Sequence, residues 1–297
     1  MQNISQRPAE ASGSLLLGGD LRVNRLGFGA MRITGDGIWG PPANKQEALA
    51  VLRRTLDLGI NLIDTADSYG PEVSESLIAE ALYPYAKGLV IATKGGLLRT
   101  GPNQWPQDGR PEHLREALEG SLRRLRLDHI DIYQFHRPDP KVPFEDSVGE
   151  VARMKQEGKI RHVGVSNVTL DELDRALKIV PIVTVQNHYN LAKRESERMN
   201  EADSEKMIDV CASKGIGFIP WAPLNAGSLS RPGGVLDEIA KKHNALPNQI
   251  VIAWLLKRSS TVLPIPGTST VKHLEENTLG ATIKLTDEEF TRINQAR

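Results

Sequence analysis

Four polar residues close three successive strand-like runs, and their side chains could together move a proton. Asp64 and Tyr69 lie in N-L-I-D-T-A-D-S-Y, Lys94 ends L-V-I-A-T-K, and His136 ends I-D-I-Y-Q-F-H. If these runs are neighbouring parallel strands, spaced about 5 Å apart, the four side chains surround one pocket. A carboxylate, an ammonium, a phenol and an imidazole in one place are typical of proton transfer.

The residue types suggest how the groups would act on one another. Asp64 ends an apolar strand, where an unpaired carboxylate is costly, so we expect Lys94 to pair with it. We also expect the ammonium to lower the pKa of Tyr69 from about 10 by two or three units. Such a phenol could give a proton to a carbonyl oxygen while His136 orients that oxygen. Asp67, in contrast, is expected only to shape a turn.

Short apolar runs alternate with amphipathic segments from residue 24 onward, and no linker-like stretch separates them. About eight such runs predict an α/β fold, the closed (β/α)₈ or TIM barrel, whose active face lies at the carboxyl ends of the strands. Residues 14–24 predict an N-terminal β-hairpin over one barrel end. The expected strands are 25–31, 61–66, 89–94, 130–136, 162–166, 182–187, 217–221 and 262–266.

The intervening segments predict helices with recognisable ends. Gly59, Gly158 and Gly215 follow helical runs and suit a left-handed C-cap, whereas Asn44 and Thr169 suit N-caps. The expected helices are 44–58, 73–83, 111–127, 145–157, 170–178, 203–214, 235–243 and 271–279, with extra helices near the C-terminus at 247–257 and 287–295.

Composition narrows the class of ligand. Thirty-seven basic and thirty-seven acidic residues cancel, which argues against nucleic acid or a membrane surface and favours a small ligand. Residues 1–13 lack a secretory pattern and are expected to be a flexible lead-in to one domain over 14–297, so we expect a cytoplasmic protein. Cys211 is the only cysteine and is expected to be buried; with no C-x-x-C or H-E-x-x-H, no metal is expected.

At this point the chain resembles the aldo-keto reductase family. The matching segments occur in family order from about residue 24 to 277. They are G-F-G-A-M, D-T-A-D-S-Y-G, the strand-end T-K, Q-F-H-R-P-D, G-V-S-N, V-Q-N-H-Y-N, P-W-A-P-L and I-P-G-T-S-T-V-K-H-L-E-E-N.

The resemblance implies a (β/α)₈ oxidoreductase that reduces an aldehyde or ketone with NADPH, reversibly, with NADH as a secondary cofactor. Tyr69 would be the general acid, Lys94 and Asp64 would tune it, and His136 would orient the carbonyl. The nicotinamide carboxamide would be held by Ser166, Asn167 and Gln186, and its ring would stack on Trp221.

The remaining cofactor contacts follow from the same resemblance. By this resemblance the pyrophosphate would run along the loop that contains Pro223, Leu224, Gly227 and Ser228, whose backbone N–H groups could bind phosphate oxygens. G-F-G-A-M-R lacks the third glycine of a dinucleotide fingerprint, which argues against a Rossmann fold. Many family members carry a basic residue where this chain has Gly267, and an arginine where it has His273. The residues expected around the adenosine and its 2′-phosphate are Gly267, Thr268, Ser269, His273, Glu276 and Asn277.

The substrate is less constrained. Trp39 and Trp105 lie in long loops that follow predicted strands and would line the pocket, which favours an apolar or ring-containing carbonyl compound. A small aldehyde, a quinone-like ketone, a sugar-derived or vitamin-like aldehyde and a secondary alcohol all stay open, as does the oligomeric state.

Two other functions compete with this interpretation. One is a cofactor-binding regulatory subunit of the same fold, because relatives with this fold can serve a membrane channel. The other is a metal-dependent barrel hydrolase, against which the histidines argue, since no H-x-H pair lies at the first strand.

Overall fold

The centre of the molecule is a parallel sheet that curls round on itself. The structure is a computed structural model that describes residues 7–195, 198–224 and 233–295. Each strand of the seven-stranded sheet pairs with the next in chain order. The strands are β3 (Phe28–Gly29), β4 (Leu62–Asp64), β5 (Val90–Gly95), β6 (Ile130–Phe135), β7 (Ile160–Ser166), β8 (Ile182–His188) and β9 (Gly217–Trp221).

An eighth segment joins the last strand to the first. Leu263 N–H donates to the carbonyl of Phe218 at 2.8 Å, and Gly27 N–H donates to the carbonyl of Pro264 at 3.0 Å. The predicted closed (β/α)₈ barrel is thereby confirmed. The expected strand 262–266 is, however, reduced to a single bridge between Val262 and Phe218, because the prolines in this segment have no N–H to add to a ladder.

Helices cover the outside of the barrel. They are α1 (Lys45–Asp57), α2 (Val73–Leu82), α3 (Pro111–Leu125), α4 (Phe144–Gln156), α5 (Leu170–Ile179), α6 (Glu201–Lys214), α7 (Val235–Lys242), α8 (Pro247–Arg258), α9 (Val271–Leu279) and α10 (Asp287–Gln295). The expected N-caps form: Asn44 Oδ1 accepts from Glu47 N–H, and Thr169 makes a capping box with Glu172. None of the helices in the described ranges is long and apolar enough to cross a bilayer.

The predicted hairpin closes the barrel end opposite the strand carboxyl ends. It consists of β1 (Ser14–Leu17) and β2 (Leu21–Asn24), paired antiparallel. Asn24 N–H donates to Asn61 Oδ1 at 2.7 Å, just before β4 begins. Leu17 and Leu21 are buried together with barrel-interior side chains such as Ile132. The carboxyl end of the barrel is therefore the end left for a ligand.

The structure differs from the predicted elements at two places near the N-terminus. The first barrel strand is only Phe28–Gly29, because residues Ala30–Ile33 turn into a 3₁₀-helix. Within the expected lead-in, Pro8–Ser12 forms a 3₁₀-helix whose Ala9 is fully buried.

Candidate active site

The four residues singled out by the sequence meet at the carboxyl end of the barrel, around the ammonium of Lys94. Lys94 Nζ donates to Asp64 Oδ1 at 2.5 Å and to the carbonyl of Thr65 at 2.8 Å. It lies 3.3 Å from Tyr69 Oη. Asp64 and Lys94 are almost completely buried. The phenol oxygen of Tyr69 therefore lies next to an ammonium group that its hydrogen bonds to Asp64 and Thr65 hold in place.

Two amide side chains complete the surroundings of Asp64. Gln134 and Gln186 each donate Nε2–H to Asp64 Oδ2 at 2.8 Å. Both carboxylate oxygens therefore have donors, and an ionised carboxylate is the form that such donors stabilise. Gln134 was not expected from the sequence, although it stands two residues before His136 and so faces the same side of the strand.

The pKa of Tyr69 differs from expectation. Burial raises the pKa of Tyr69 above its ordinary value, and the opposing attraction of Lys94 is partly offset by Asp64. The expected lowering of this pKa is therefore wrong, because desolvation of the phenolate outweighs the attraction of one neighbouring ammonium. The pKa of Lys94, which burial alone would lower, is raised by Asp64 and Tyr69. The phenol therefore holds its proton at neutral pH.

His136 is held as a neutral imidazole. Its ring centre lies 6.0 Å from that of Tyr69, nearly perpendicular to it. Burial, followed by the charges of Lys94 and Arg137, holds the pKa of His136 well below its usual range. His136 Nδ1 is buried without a hydrogen-bond partner in the described part of the chain. A neutral ring in this place can act as a hydrogen-bond donor or acceptor toward a ligand.

Asn167 connects the site to two further strand ends. Its Nδ2 donates to the carbonyl of His136 and to Ser166 Oγ, both at 3.0 Å. Its Oδ1 accepts from Trp221 Nε1 at 3.0 Å. Asn167 adopts a left-handed conformation with φ 56°, which asparagine tolerates better than most residues. Ser166, Asn167, Gln186 and Trp221, the expected nicotinamide contacts, therefore adjoin the four central residues.

The loop after β9 is described only in part. Trp221 is partly exposed and packs edge-on against His188, with ring centres 4.4 Å apart. Pro223 is buried and Leu224 partly buried. Gly227 and Ser228 lie outside the described residues.

The segment expected to hold the adenosine end surrounds the start of α9. Thr270 caps this helix, with Oγ1 accepting from His273 N–H at 3.3 Å. Asn277 is buried and bonded to Asn248. Among the other expected contacts, Ser269 and His273 are exposed and Thr268 is buried. Gly267 and Glu276 are partly buried.

Two features of this segment bear on phosphate binding. A β-carbon at Gly267 would lie 2.5 Å from the carbonyl oxygen of Gly29, so the backbone leaves no room there for the basic residue that many family members carry. The backbone N–H of Val271 is bonded to Glu47 Oε1 at 2.9 Å. A carboxylate therefore occupies part of the helix N-terminus where an anion would bind.

Trp105 forms a wall beside Tyr69, and Trp39 lies farther out. The rings of Trp105 and Tyr69 are 6.2 Å apart and perpendicular, and Trp105 packs on Ile38 and Ala66. Trp39 is 37% exposed.

In the described ranges no cluster of histidine, cysteine, aspartate or glutamate is arranged to hold a metal ion, and Cys211 is a free buried thiol.

Comparison with known proteins decides the family. Residues 25–297 match the model of the Aldo/keto reductase family. This chain is an aldo-keto reductase.

Individual aldo-keto reductases and related oxidoreductases match it over nearly their whole length. An uncharacterized oxidoreductase of Schizosaccharomyces pombe is 53% identical over 93% of this chain and 88% of its own. Pyridoxine 4-dehydrogenase of Escherichia coli is 40% identical over 93% of this chain and 96% of its own. The solved structure of the thermostable aldo-keto reductase Tm1743, bound to the inhibitor epalrestat, superposes with a TM-score of 0.81 at 32% identity, over 95% and 98% of the two chains.

Proposed function

We propose that this aldo-keto reductase reduces an aldehyde or ketone to the alcohol with NADPH, reversibly, and accepts NADH as a secondary cofactor. The observation that carries the proposal is the buried contact of Lys94 Nζ with both Asp64 and Tyr69 Oη. A solvated lysine or a turn-forming aspartate has no need of this arrangement. It presents one phenol proton in a largely buried position, since Tyr69 is 8% exposed.

The chain supplies proton transfer and orientation. NADPH supplies the hydride for the carbonyl carbon when it is bound. Tyr69 Oη gives its proton to the carbonyl oxygen, and Lys94 stabilises the phenolate that remains. His136, neutral because of its burial, donates a hydrogen bond to the same oxygen and aligns it. In the reverse direction the phenolate takes the proton back from the alcohol.

The cofactor fits the groups that lie around this centre. His136 Nδ1 is buried and has no hydrogen-bond partner among the described residues, and Ser166, Asn167 and Gln186 offer the hydroxyl and amide groups that would hold a carboxamide. The indole of Trp221 would cover the nicotinamide ring. At the far end, Thr268 and Ser269 offer hydroxyls to a phosphate. Gly267, however, adds no positive charge there, and the carboxylate of Glu47 repels a phosphate. We therefore propose a preference for NADPH that is weaker than a basic residue at position 267 would give.

We further propose pyridoxal as the first substrate to test. The E. coli relative named above is a pyridoxine 4-dehydrogenase, and the ring of Trp105 beside Tyr69 suits a flat aromatic aldehyde. Reduction would consume pyridoxal, NADPH and one proton and would yield pyridoxine and NADP⁺.

The test is a panel of carbonyl compounds, pyridoxal included, assayed by loss of reduced-cofactor absorbance with NADPH and with NADH. We expect turnover of aromatic aldehydes, and we expect Tyr69→Phe to lower kcat by about a thousand-fold or more with NADPH binding intact. The matched control is Tyr83→Phe, because Tyr83 is 49% exposed and remote from Lys94. Unchanged turnover in Tyr69→Phe would remove Tyr69 from this role. Nucleotide binding without any turnover would favour the regulatory-subunit alternative.

A further inference from the structure

Arg99 lies in the long loop after β5, and every N–H donor of its guanidinium is hydrogen-bonded to a backbone carbonyl. An arginine side chain has five N–H donors. The structure gives this one five acceptors at 2.6 to 3.2 Å, which are the carbonyl oxygens of Gly37, Ile38, Ser68, Gly101 and Gln104.

These carbonyls belong to three different loops on the active face. Gly37 and Ile38 follow β3, Ser68 follows β4 and directly precedes Tyr69, and the others belong to the loop of Arg99 itself. The same loops also meet through Asn103 N–H, which donates to the carbonyl of Gly37 at 2.9 Å. One side chain thus bonds to all three loops, two of which also share a parallel bridge between Trp39 and Gly70.

The guanidinium also lies between two tryptophans. Its carbon is 3.7 Å from the ring centre of Trp105 and 5.5 Å from that of Trp39. Trp105 in turn contacts the ring of Tyr69. A continuous chain of contacts therefore runs from the phenol through Trp105 and Arg99 to Trp39.

We propose that Arg99 is a positioning residue that fixes the aromatic wall of the substrate pocket and so selects carbonyl compounds with a planar ring; this inference rests on the proposed reductase function. Arg99 does not touch the reacting atoms. It holds the indole of Trp105 perpendicular to the ring of Tyr69, so that this aromatic surface keeps a fixed direction beside the tyrosine. Lysine cannot replace it, because an ammonium has three donors and no planar face to stack.

The bonding pattern separates this role from attraction of an anion. With all five donors engaged, the guanidinium has no free N–H for a substrate carboxylate or phosphate. Among the described residues no acidic side chain forms an ion pair with Arg99, so its place in the loop depends on the carbonyls and the rings. Geometry rather than charge is therefore what a substitution should disturb.

The experiment compares Arg99→Ala and Arg99→Lys with wild type on two neutral aldehydes, 4-nitrobenzaldehyde and propanal. We expect KM for 4-nitrobenzaldehyde to rise about ten-fold in both variants, the factor that one aromatic contact is worth. KM for propanal, kcat for both aldehydes and the Kd of NADPH should change by less than about three-fold. Arg126→Ala is the matched control, because Arg126 stacks on Tyr83 just after α3, at the opposite end of the barrel.

Two further readouts keep the inference testable. If Arg99 acts through Trp105, the double variant Arg99→Ala with Trp105→Ala should be no worse than Trp105→Ala alone. Amide hydrogen exchange in residues 97–107 should accelerate in both Arg99 variants without any substrate, so this readout does not depend on the proposed reaction. Equal effects on both aldehydes, full activity of Arg99→Lys, or unchanged exchange would overturn the inference. Absence of carbonyl turnover in wild type would instead contradict the proposed function.

Discussion

Asp67 lies two residues before Tyr69, and its replacement by asparagine should stabilise the protein in a pH-dependent way. Asp67 as a whole residue is 9% exposed, and its Oδ1 is buried without a partner among the described residues. Burial and the nearby Glu75 carboxylate raise the pKa of Asp67 to about 8, against the opposing charge of Arg124. The expectation that Asp67 only shapes a turn therefore leaves out a buried acid that is protonated at neutral pH.

The size of the effect follows from proton linkage. A carboxyl in the unfolded chain titrates near 3.9, so between about pH 4 and 8 the native protein holds a proton that the unfolded chain has lost. The free energy of unfolding therefore falls as pH rises through this window, by up to about 1.4 kcal/mol per pH unit. Over the roughly three units from pH 4 to 7 the loss is about 4 kcal/mol. Below the pKa of the unfolded chain this group does not lower the free energy of unfolding, and above about pH 8 it lowers it no further.

Asp67→Asn removes this titration and keeps the shape of the protonated acid. Denaturant unfolding of wild type and variant, measured at half-unit steps from pH 5 to 8, should give a difference that grows with pH in favour of Asp67→Asn. Asp128→Asn, at an exposed site, is the matched control and should show no such growth. A difference that stays flat across the range would refute the buried, protonated state of Asp67.

Other predictions concern the cofactor and the proton donor. Gln134→Leu should lower kcat about ten- to hundred-fold, because it removes one of the amide hydrogen bonds to Asp64 and such bonds to a charged partner are worth about 1.5 to 3 kcal/mol; steady-state kinetics on protein shown to be folded at the assay temperature would check this, and a wild-type kcat would contradict it. Glu47→Gln should tighten NADPH about two- to five-fold relative to NADH, because it removes a negative charge from the helix N-terminus at Val271; fluorescence titration with both cofactors measures it, and an unchanged ratio would count against a phosphate bound there.

The central residues could be predicted because each breaks a local rule. A charged residue that ends an apolar strand has few structural uses, and parallel strands bring their carboxyl ends together, so the sequence alone predicts that Asp64, Lys94 and His136 lie near one another. The hairpin and most helix bounds follow from turn residues and caps in the same way. The eighth strand could not be placed as well, because the prolines that interrupt its ladder stand inside an otherwise strand-like run.

What escaped prediction depends on distance in sequence and on burial. Glu47 reaches Val271, and Arg99 reaches Gly37 and Ser68, through contacts that no local pattern marks. The pKa of Tyr69 depends on how completely water is excluded, which composition does not report. The sequence showed the neighbouring ammonium but not the larger desolvation that opposes it.

Gln186 would link the cofactor to Asp64, the carboxylate that holds Lys94. Its Nε2 is bonded to Asp64 Oδ2, which leaves Oε1 as the atom available to a carboxamide N–H of the cofactor. The same amide would then touch the nicotinamide on one side and the carboxylate that holds Lys94 on the other. Because Gln134 donates to the same oxygen of Asp64, Oδ2 keeps one donor whichever way Gln186 turns. A cofactor held by Gln186 would thus be connected to the charge beside Tyr69 through two hydrogen bonds.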